Sequence, residues 1–333
     1  MLSEQLSEMQ VENNSLESKI SALSQKISGI EAEILNKETE LNPLRKQQMD
    51  LENQRKALGV FKFKERKQID GDLSVIRAKI NNIKDEVHEL KSNVDSSIQE
   101  KADTQCELGI CYNEGNGVEK DPAQAVFWFR KATELEHAGA QCGLGLAYIL
   151  GNGVEENFDQ GIYWLKKSAD LGNTDAINIL LKHAYNLYHD KQYSRTFPLV
   201  SKLAELGNAE MQSKLGLMYE DGKGVDENKE LAIVWQLKAA ENGLGYAQHH
   251  VANLYILDQD YRAFQWSMKA LHNDNLSKEE KAEVKLSLAM CYAFGIGVDR
   301  NRNKSRVYAE EVIQEGYDNT KTLARKLISK YLG

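Results

Sequence analysis

The chain has 333 residues, 41% hydrophobic and 8% aromatic, with only 3 prolines, which is room for two or more ordinary domains and favours a largely helical protein. Its formal charge of -8 gives no general attraction to nucleic acid, whose phosphates need basic surface. No run of 18 or more strongly apolar residues occurs, so no membrane span is expected, and Met1 to Gln10 has neither the basic nor the apolar region of a signal peptide.

Residues 1–58 carry a heptad pattern. Steps of three and four connect Leu2, Leu6, Met9, Asn13, Leu16, Ile20, Leu23, Ile27, Ile30, Ile34, Lys37, Leu41, Leu44, Gln48, Leu51, Arg55 and Leu58. That spacing makes one narrow apolar seam along a helix, which needs a partner helix. Asn13 stands at an a-type position, where a buried Asn fixes register and favours a dimer; fraying near the end of the coil explains it equally well. Pro43 lies off the seam but lacks a backbone donor, so a kink or break is expected near Asn42.

Gly59 is expected to end this helix. A second seam runs through Ile69, Leu73, Ile76, Ile80, Ile83, Val87, Leu90, Val94 and Ser97, predicting helices over about 1–58 and 63–100. The two fold back as an antiparallel hairpin or continue into an intermolecular coil. The glycine, and a length mismatch that leaves 1 to about 20 unpaired, favour a hairpin combined with a dimer. Between the seams stand six basic residues and two phenylalanines, Phe61 and Phe63. Such a tip suits docking on anionic lipid or an acidic partner, or is a solvated turn whose phenylalanines cover the hairpin end.

From about Ala102 the heptads give way to a repeat. Leu108-Gly109 with Tyr112, Gly115, Gly117 and Val118 returns at Leu144-Gly145 with Tyr148, Gly151, Gly153 and Val154, 36 residues on, and again at Leu215-Gly216 with Tyr219, Gly222, Gly224 and Val225. A fixed period of this size means a stack of one supersecondary unit. The markers of each first helix are Leu108, Leu144, Leu180, Leu215, Val251 and Leu288, with Ala324 in a terminal half-repeat. Each second helix carries a large residue: Trp128, Trp164, Leu199, Trp235, Trp266 and Tyr308. Seven residues before it stand Asp121, Asn157, Asn228 and Asn301, good N-caps, and Pro122 follows Asp121 at the first helical position. Eight residues after it stand Gly172, Gly207, Gly243 and Gly316, suited to a left-handed helix end. Gly109, Gly145 and Gly216 lie inside the first helix, where glycine costs roughly 1 kcal/mol against alanine. Close approach of the second helix, through alanines such as Ala132, Ala169 and Ala239-Ala240, is the expected return, with the tryptophans filling the gap between units.

The repeats marked by Leu180 and Val251 lack Gly-x-Gly-Val. In the latter, Val251 to Trp266 is 15 residues against 20 for Leu144 to Trp164, while Trp266 to Leu288 is 22 against a usual 16. Ser277 and Glu280 in that long exit read as a capping box. A bend of the stack, a docking point or simple drift each account for the irregularity.

The four cysteines sit at equivalent repeat positions, Cys106 and Cys142 two residues before a marker and Cys111 and Cys291 three after, and read as small packing residues with reduced thiols in a cytoplasmic setting. No GxxxxGK[ST] loop, GxSxG elbow, HExxH or CxxC occurs. His249 and His250 are adjacent and diverge on a helix, and His183 and His189 lack partners at metal spacing. No metal site and no cofactor is expected.

The repeat, with Ala125, Trp128, Lys131 and Ala132, then Trp164, Lys167 and Ala169, then Ala232, Trp235, Lys238 and Ala239 in its second helix, resembles the Sel-like repeat (SLR) family, relatives of the tetratricopeptide repeat. The resemblance covers about 102–333. It implies an all-α fold: a right-handed α-α solenoid of about six repeats over 101–333, preceded at 1–100 by a long coiled-coil helix or helical hairpin. It also implies a non-catalytic scaffold or adaptor that takes a protein or peptide in the solenoid groove; the heptad seam predicts that the coil forms a dimer, and the acidic charge and lack of a long apolar run mean that no nucleic acid and no membrane partner is expected. By the same resemblance, positions two and five after each marker face the ligand: Ile110 and Asn113, Leu146 and Ile149, Lys182 and Tyr185, Leu217 and Glu220. Packing between helices is the competing role for the apolar ones. The alternatives are a regulatory sensor whose basic coil tip contacts membrane, and a β-lactam hydrolase of the kind linked to secreted SLR proteins. The latter is disfavoured, because the paired cysteines of those proteins and any Ser-x-x-Lys are missing.

Overall fold

The computed structural model describes residues 2–58 and 62–332, with side chains from Asn14 onward. Every regular element among them is helical. Leu2, Leu6, Met9 and Asn13 on the seam, and Gly59 to Phe61 at the turn, fall outside what is described of side chains or backbone. The chain divides into two compact units, residues 1–176 and 177–333.

The first unit begins with α1 (Leu2–Ala57) and α2 (Phe63–Glu114), an antiparallel pair. Ion pairs fix the register: Lys19–Glu100 at 3.0 Å, Lys37–Glu86 at 2.7 Å, Lys91–Glu38 at 3.0 Å and Arg77–Glu52 at 3.0 Å. The heptad seams close on each other inside one chain, burying Ile20, Leu23 and Leu41 with Leu73, Ile76, Ile80 and Val87. The hairpin alternative is therefore the one formed. Of the kink or break expected near Asn42, the break does not form: α1 runs on through Pro43. The hydrogen bond it forgoes costs about 3 kcal/mol in an isolated helix; here Leu41 and Leu44, on either side, pack against Ile76, Ile80 and Ile83, and that burial offsets the loss. The seam's end at Ser97 is not a helix end either. α2 runs on to Glu114, so its last turns are the first helix of the first repeat, and the early part of α1, expected to lie unpaired, finds partners there: Lys19 reaches Glu100 and Glu17 lies near Tyr112.

α3 (Pro122–Thr133) completes that repeat, and α4 (Ala138–Leu150) with α5 (Phe158–Asp170) makes the next. α6 (Thr174–His189) leads into the second unit. There α7 (Tyr193–Glu205), α8 (Ala209–Asp221), α9 (Lys229–Glu241), α10 (Gly245–Leu257), α11 (Arg262–Leu271), α12 (Lys278–Phe294) and α13 (Arg302–Glu315) continue the alternation, and α14 (Asp318–Leu327) stands as the half-repeat.

The predicted caps form. Asp121 accepts from the Ala123 and Gln124 N–H groups, and Asn157, Asn228 and Asn301 each accept from the N–H three residues on. Gly172, Gly207 and Gly243 take left-handed φ of +80°, +89° and +87°. Gly316 does not. It is extended, and its glycine serves space instead, since a Cβ there would stand 2.9 Å from the Val312 carbonyl. The helix-interior glycines do mark close approach, though not at the expected alanines. A Cβ on Gly109 would meet the Phe129 ring at 2.7 Å, on Gly145 the Leu165 side chain at 2.9 Å and the Gly161 carbonyl at 3.0 Å, on Gly216 the Ala232 carbonyl at 3.0 Å. Ala132, Ala169, Ala239 and Ala240 are buried elsewhere in the core.

The second glycine of three Gly-x-Gly turns carries a further constraint. Gly153 has φ +74°, and a Cβ on it would lie 2.1 Å from the Pro122 carbonyl, at the start of the preceding repeat's second helix. Gly224 meets Tyr193 in the same way at 2.3 Å, and Gly297 meets Tyr261 at 2.0 Å. The repeats without the motif turn through Lys191 and Gln259, which accept left-handed φ of 58° and 53°. The long exit after α11 is packed: Leu276 joins Ala270 and Val284, and the Asn273 amide donates to the Gly243 carbonyl at 2.7 Å, with the capping box at Ser277 and Glu280 formed.

Two alanine substitutions separate conformation from contact. Gly172→Ala, left-handed but with open space, is expected to cost about 1 kcal/mol. Gly153→Ala adds the collision with Pro122 and is expected to cost about 3 kcal/mol or more. Urea titration followed by circular dichroism measures both; equal costs refute the contact.

Candidate partner-binding surface

The groove positions fall into two sets, one per unit. In the first unit Ile110 on α2 is 44% exposed. Asn113 is half-buried, and its Oδ1 accepts a hydrogen bond from the Asn152 amide at 2.9 Å, tying the turns of consecutive repeats. Leu146 and Ile149 on α4 are half-buried. Ile149 packs on α5, its Cγ1 occupying the space beside Gly161.

In the second unit Lys182 and Tyr185 on α6 are exposed, Leu217 on α8 is half-buried and Glu220 is exposed. The Tyr185 hydroxyl donates to Glu210 on α8, and burial with that carboxylate pushes its pKa up to about 12. Lys214, also on α8, lies 3.9 Å from the centre of the Tyr188 ring and 5.4 Å from that of Tyr185. Burial lowers its pKa, and the Glu210 charge opposes that. Glu220 faces His250 on α10 at 3.7 Å. Tyr246, one turn before His250, is held above the usual tyrosine range by burial and by the charges of Glu220 and Glu283.

The line of first helices continues to a site that the sequence reading passed over. α10, α12 and α14 line an open cavity of about 400 Å³ with Ile256, Met290 and Leu323 among its apolar walls and His249, Asn253, Glu283 and Ser287 at its polar end. The same two-and-five spacing applied to Val251 and Leu288 picks out Asn253, Ile256 and Met290, so that signal was present; His249, Glu283 and Ser287 precede their markers and carry none. The Ser287 hydroxyl donates to Asn253 Oδ1 at 2.7 Å, and Asn253 Nδ2 donates to His249 Nε2 at 3.0 Å. That assigns the His249 proton to Nδ1, 4.0 Å from Glu283, beyond hydrogen-bond reach. Burial, then the neighbouring His250, lowers the His249 pKa to about 4, so the ring is neutral at pH 7 and the contact with Glu283 is not an ion pair. Burial raises the Glu283 carboxyl.

Ser287, His249 and Glu283 superficially match a nucleophile, base and orienter, with Ser287 Oγ 3.3 Å from His249 Nε2. The geometry does not support acyl transfer. Ser287 lies buried inside α12, its proton is committed to Asn253, and the surrounding backbone N–H groups are spent in the helix, leaving no oxyanion donor beside it. Among the described residues no three of His, Cys, Asp and Glu converge as metal ligands. Burial pushes the Cys106 and Cys291 thiols up to about 12 and Cys142 up to about 11, far from a reactive thiolate.

The Sel1 repeat family matches residues 102–137, 138–173, 209–244 and 281–317. The intervening repeats, marked by Leu180 and Val251, are those whose turns lack the glycine pair. Among solved structures the chain is similar to a protective antigen of uropathogenic Escherichia coli displaying an SLR fold, at 24% identity over 71% of this chain, with a TM-score of 0.43. The match spans 52% of that antigen, about half its length. A Sel1 repeat protein from Oxalobacter formigenes matches at 27% identity over 64% of this chain and 87% of its own, with a TM-score of 0.36.

The depressed His249 pKa has a stability consequence. The unfolded ring, near 6.5, takes a proton that the folded ring refuses until about pH 4. Stability is therefore full above pH 6.5 and drains as pH falls toward 4, by about 2 kcal/mol at pH 5. Melting of His249→Gln at pH 7.5 and pH 5 isolates this group from Glu283: the parent loses more on acidification than the variant, and parallel losses contradict the assignment.

Proposed function

We propose that this chain, a member of the Sel1 repeat family, is a non-catalytic interaction scaffold or adaptor. It binds a protein segment along the exposed faces of its first helices and oligomerises through the N-terminal hairpin. Repeats of this family generally mediate contacts between proteins. The observation that carries the reading is the cavity on α10, α12 and α14: apolar walls, a hydrogen-bonded polar end and no activated nucleophile, the make-up of a recognition pocket. Exposed Ile110 and Tyr185 supply further contact surface in their own units. Ile149 and Asn113 serve packing and turn contacts, while Leu146 joins Ile110 in the first unit and Lys182, Leu217 and Glu220 join Tyr185 in the second. Oligomerisation rests on a smaller feature than the heptad seam, which is covered within the chain. Leu35, Met49 and Val75 remain outward on the hairpin, and Leu35 at 66% exposed borders a groove with Leu41 and Val87. The coil at 1–100 and the repeats at 101–333 thus serve as assembly and recognition modules. The buried thiols of Cys106, Cys142 and Cys291, none in a disulfide, support a reducing, cytoplasmic setting.

Cross-linking and mass spectrometry identify the partner. Ile110→Glu and Tyr185→Ala, both at exposed positions, are then expected to weaken its binding by tenfold or more together, with helicity and melting retained, because an interface anchor is worth about 1–2 kcal/mol. Unchanged binding moves recognition off the first-helix faces. Light scattering of the full chain at micromolar concentration is expected to give a dimer that Leu35→Glu returns to monomer; a monomeric parent removes the oligomer from the proposal.

A further inference from the structure

The chain is acidic overall, at -8, yet residues 55–67 place six cations, Arg55, Lys56, Lys62, Lys64, Arg66 and Lys67, against one carboxylate, Glu65, a local net of +5. The fold carries these charges to one end of the hairpin. α1 stops at Ala57 and α2 starts at Phe63, and the 1.5 Å rise per residue sets Phe63 about 55 Å along α2 from Glu100. Arg55 pairs with Asp70, and Lys62 with Glu65 at 3.1 Å. Lys56, Lys64 and Lys67 are exposed and make no ion pair with any described residue. Phe63 is 74% exposed, so it does not cover the hairpin end.

This arrangement works against the fold's own electrostatics. Lys62, Lys64, Arg66 and Lys67 crowd the N-terminus of α2, where the unpaired N–H groups already carry partial positive charge and acids are favoured. Lys62 stands at the N-cap with no side-chain hydrogen bond to those groups. An external anionic surface relieves both. The exposed ring selects among such surfaces. Phe63 and Lys67, four residues apart, share a face of α2, with Lys64 alongside. A bilayer offers phosphates to the ammonium groups and, just beneath them, an apolar layer for the ring.

We infer that the hairpin tip docks peripherally on an anionic lipid bilayer through Lys56, Phe63, Lys64 and Lys67, with the first repeat at the far end of α2. No segment spans the bilayer in this arrangement: no described helix is long and apolar enough to cross it.

Co-sedimentation of the full chain with extruded vesicles tests this. At about 0.1 M salt, vesicles of phosphatidylcholine with about 30% phosphatidylserine are expected to bind at least tenfold more tightly than phosphatidylcholine alone, with most of that binding lost at about 0.5 M salt. Each neutralised lysine is expected to weaken binding about fivefold, so Lys64→Gln with Lys67→Gln lowers it about twenty-five-fold. Phe63→Ser lowers it further while leaving the salt dependence in place. These side chains are exposed, so helicity and melting are expected to hold, which separates lost docking from lost fold. Equal binding to both vesicle types, no binding at about 0.1 M salt, or a double variant that binds like the parent overturns the inference. Retention of single-stranded RNA or polyglutamate without vesicle binding at the same salt also overturns it and assigns the tip to another polyanion.

Discussion

In three of the Gly-x-Gly turns the second glycine is the contact that seats one repeat on the repeat before it. At Gly153, Gly224 and Gly297 the backbone is left-handed and presses against the Pro122, Tyr193 and Tyr261 carbonyls with no room for a side chain. Glycine meets both demands at once: it has no Cβ to clash and no penalty at positive φ. The turn of one repeat is thereby seated on the start of the second helix of the repeat before it. In the first unit that start is set by the Asp121 cap and Pro122, so a local capping choice is converted into the step between repeats.

Tight spacing then decides which residues fill the core. The first and second helices meet through glycine, and alanine fills other tight positions of the core: Ala125, Ala132, Ala140, Ala169, Ala239 and Ala247. Backbone carbonyls at helix ends are sealed off from water by the same closeness. In the second unit buried glutamines answer them, Gln212 donating to the Ala204 carbonyl and Gln248 to that of Ala240, each at 3.1 Å. Tryptophans stay at the rim, where lysine three residues on covers the ring: Lys238 over Trp235 at 4.0 Å and Lys269 over Trp266 at 4.3 Å. The larger buried positions go to leucine and methionine, with Leu108, Leu144, Leu215 and Met218 on the first helices fully buried.

The hairpin joins the first unit without a hinge. One helix, α2, carries both the seam that covers α1 and the Leu108-Gly109 core of the first repeat, so a force at the tip reaches the repeat through continuous backbone hydrogen bonds. The ion pairs along the hairpin are exposed and add little stability individually, but their order along the two helices admits one antiparallel register. Burial of Leu41, Leu73, Ile76 and Ile80 supplies the main hold.

The sequence by itself determined the helical class, the repeat frame, the Asp121, Asn157, Asn228 and Asn301 caps and the capping box at Ser277, because each rests on spacing within a few residues. The left-handed ends at Gly172, Gly207 and Gly243 were legible for the same reason. What tertiary structure decided lies in contacts between segments. Pro43 stays in a continuous helix because α2 packs across it. Gly316 is chosen for the Val312 carbonyl rather than for handedness. Ile149 turns to Gly161, and Asn113 to Asn152, although their positions alone suggested open surface. The His249, Asn253 and Ser287 cluster draws on two helices with the Val251-to-Leu288 irregularity between them, where the period slips. A repeat pattern states which residues are equivalent, but which neighbour a side chain reaches depends on distances across the stack, and only the packed helices set those.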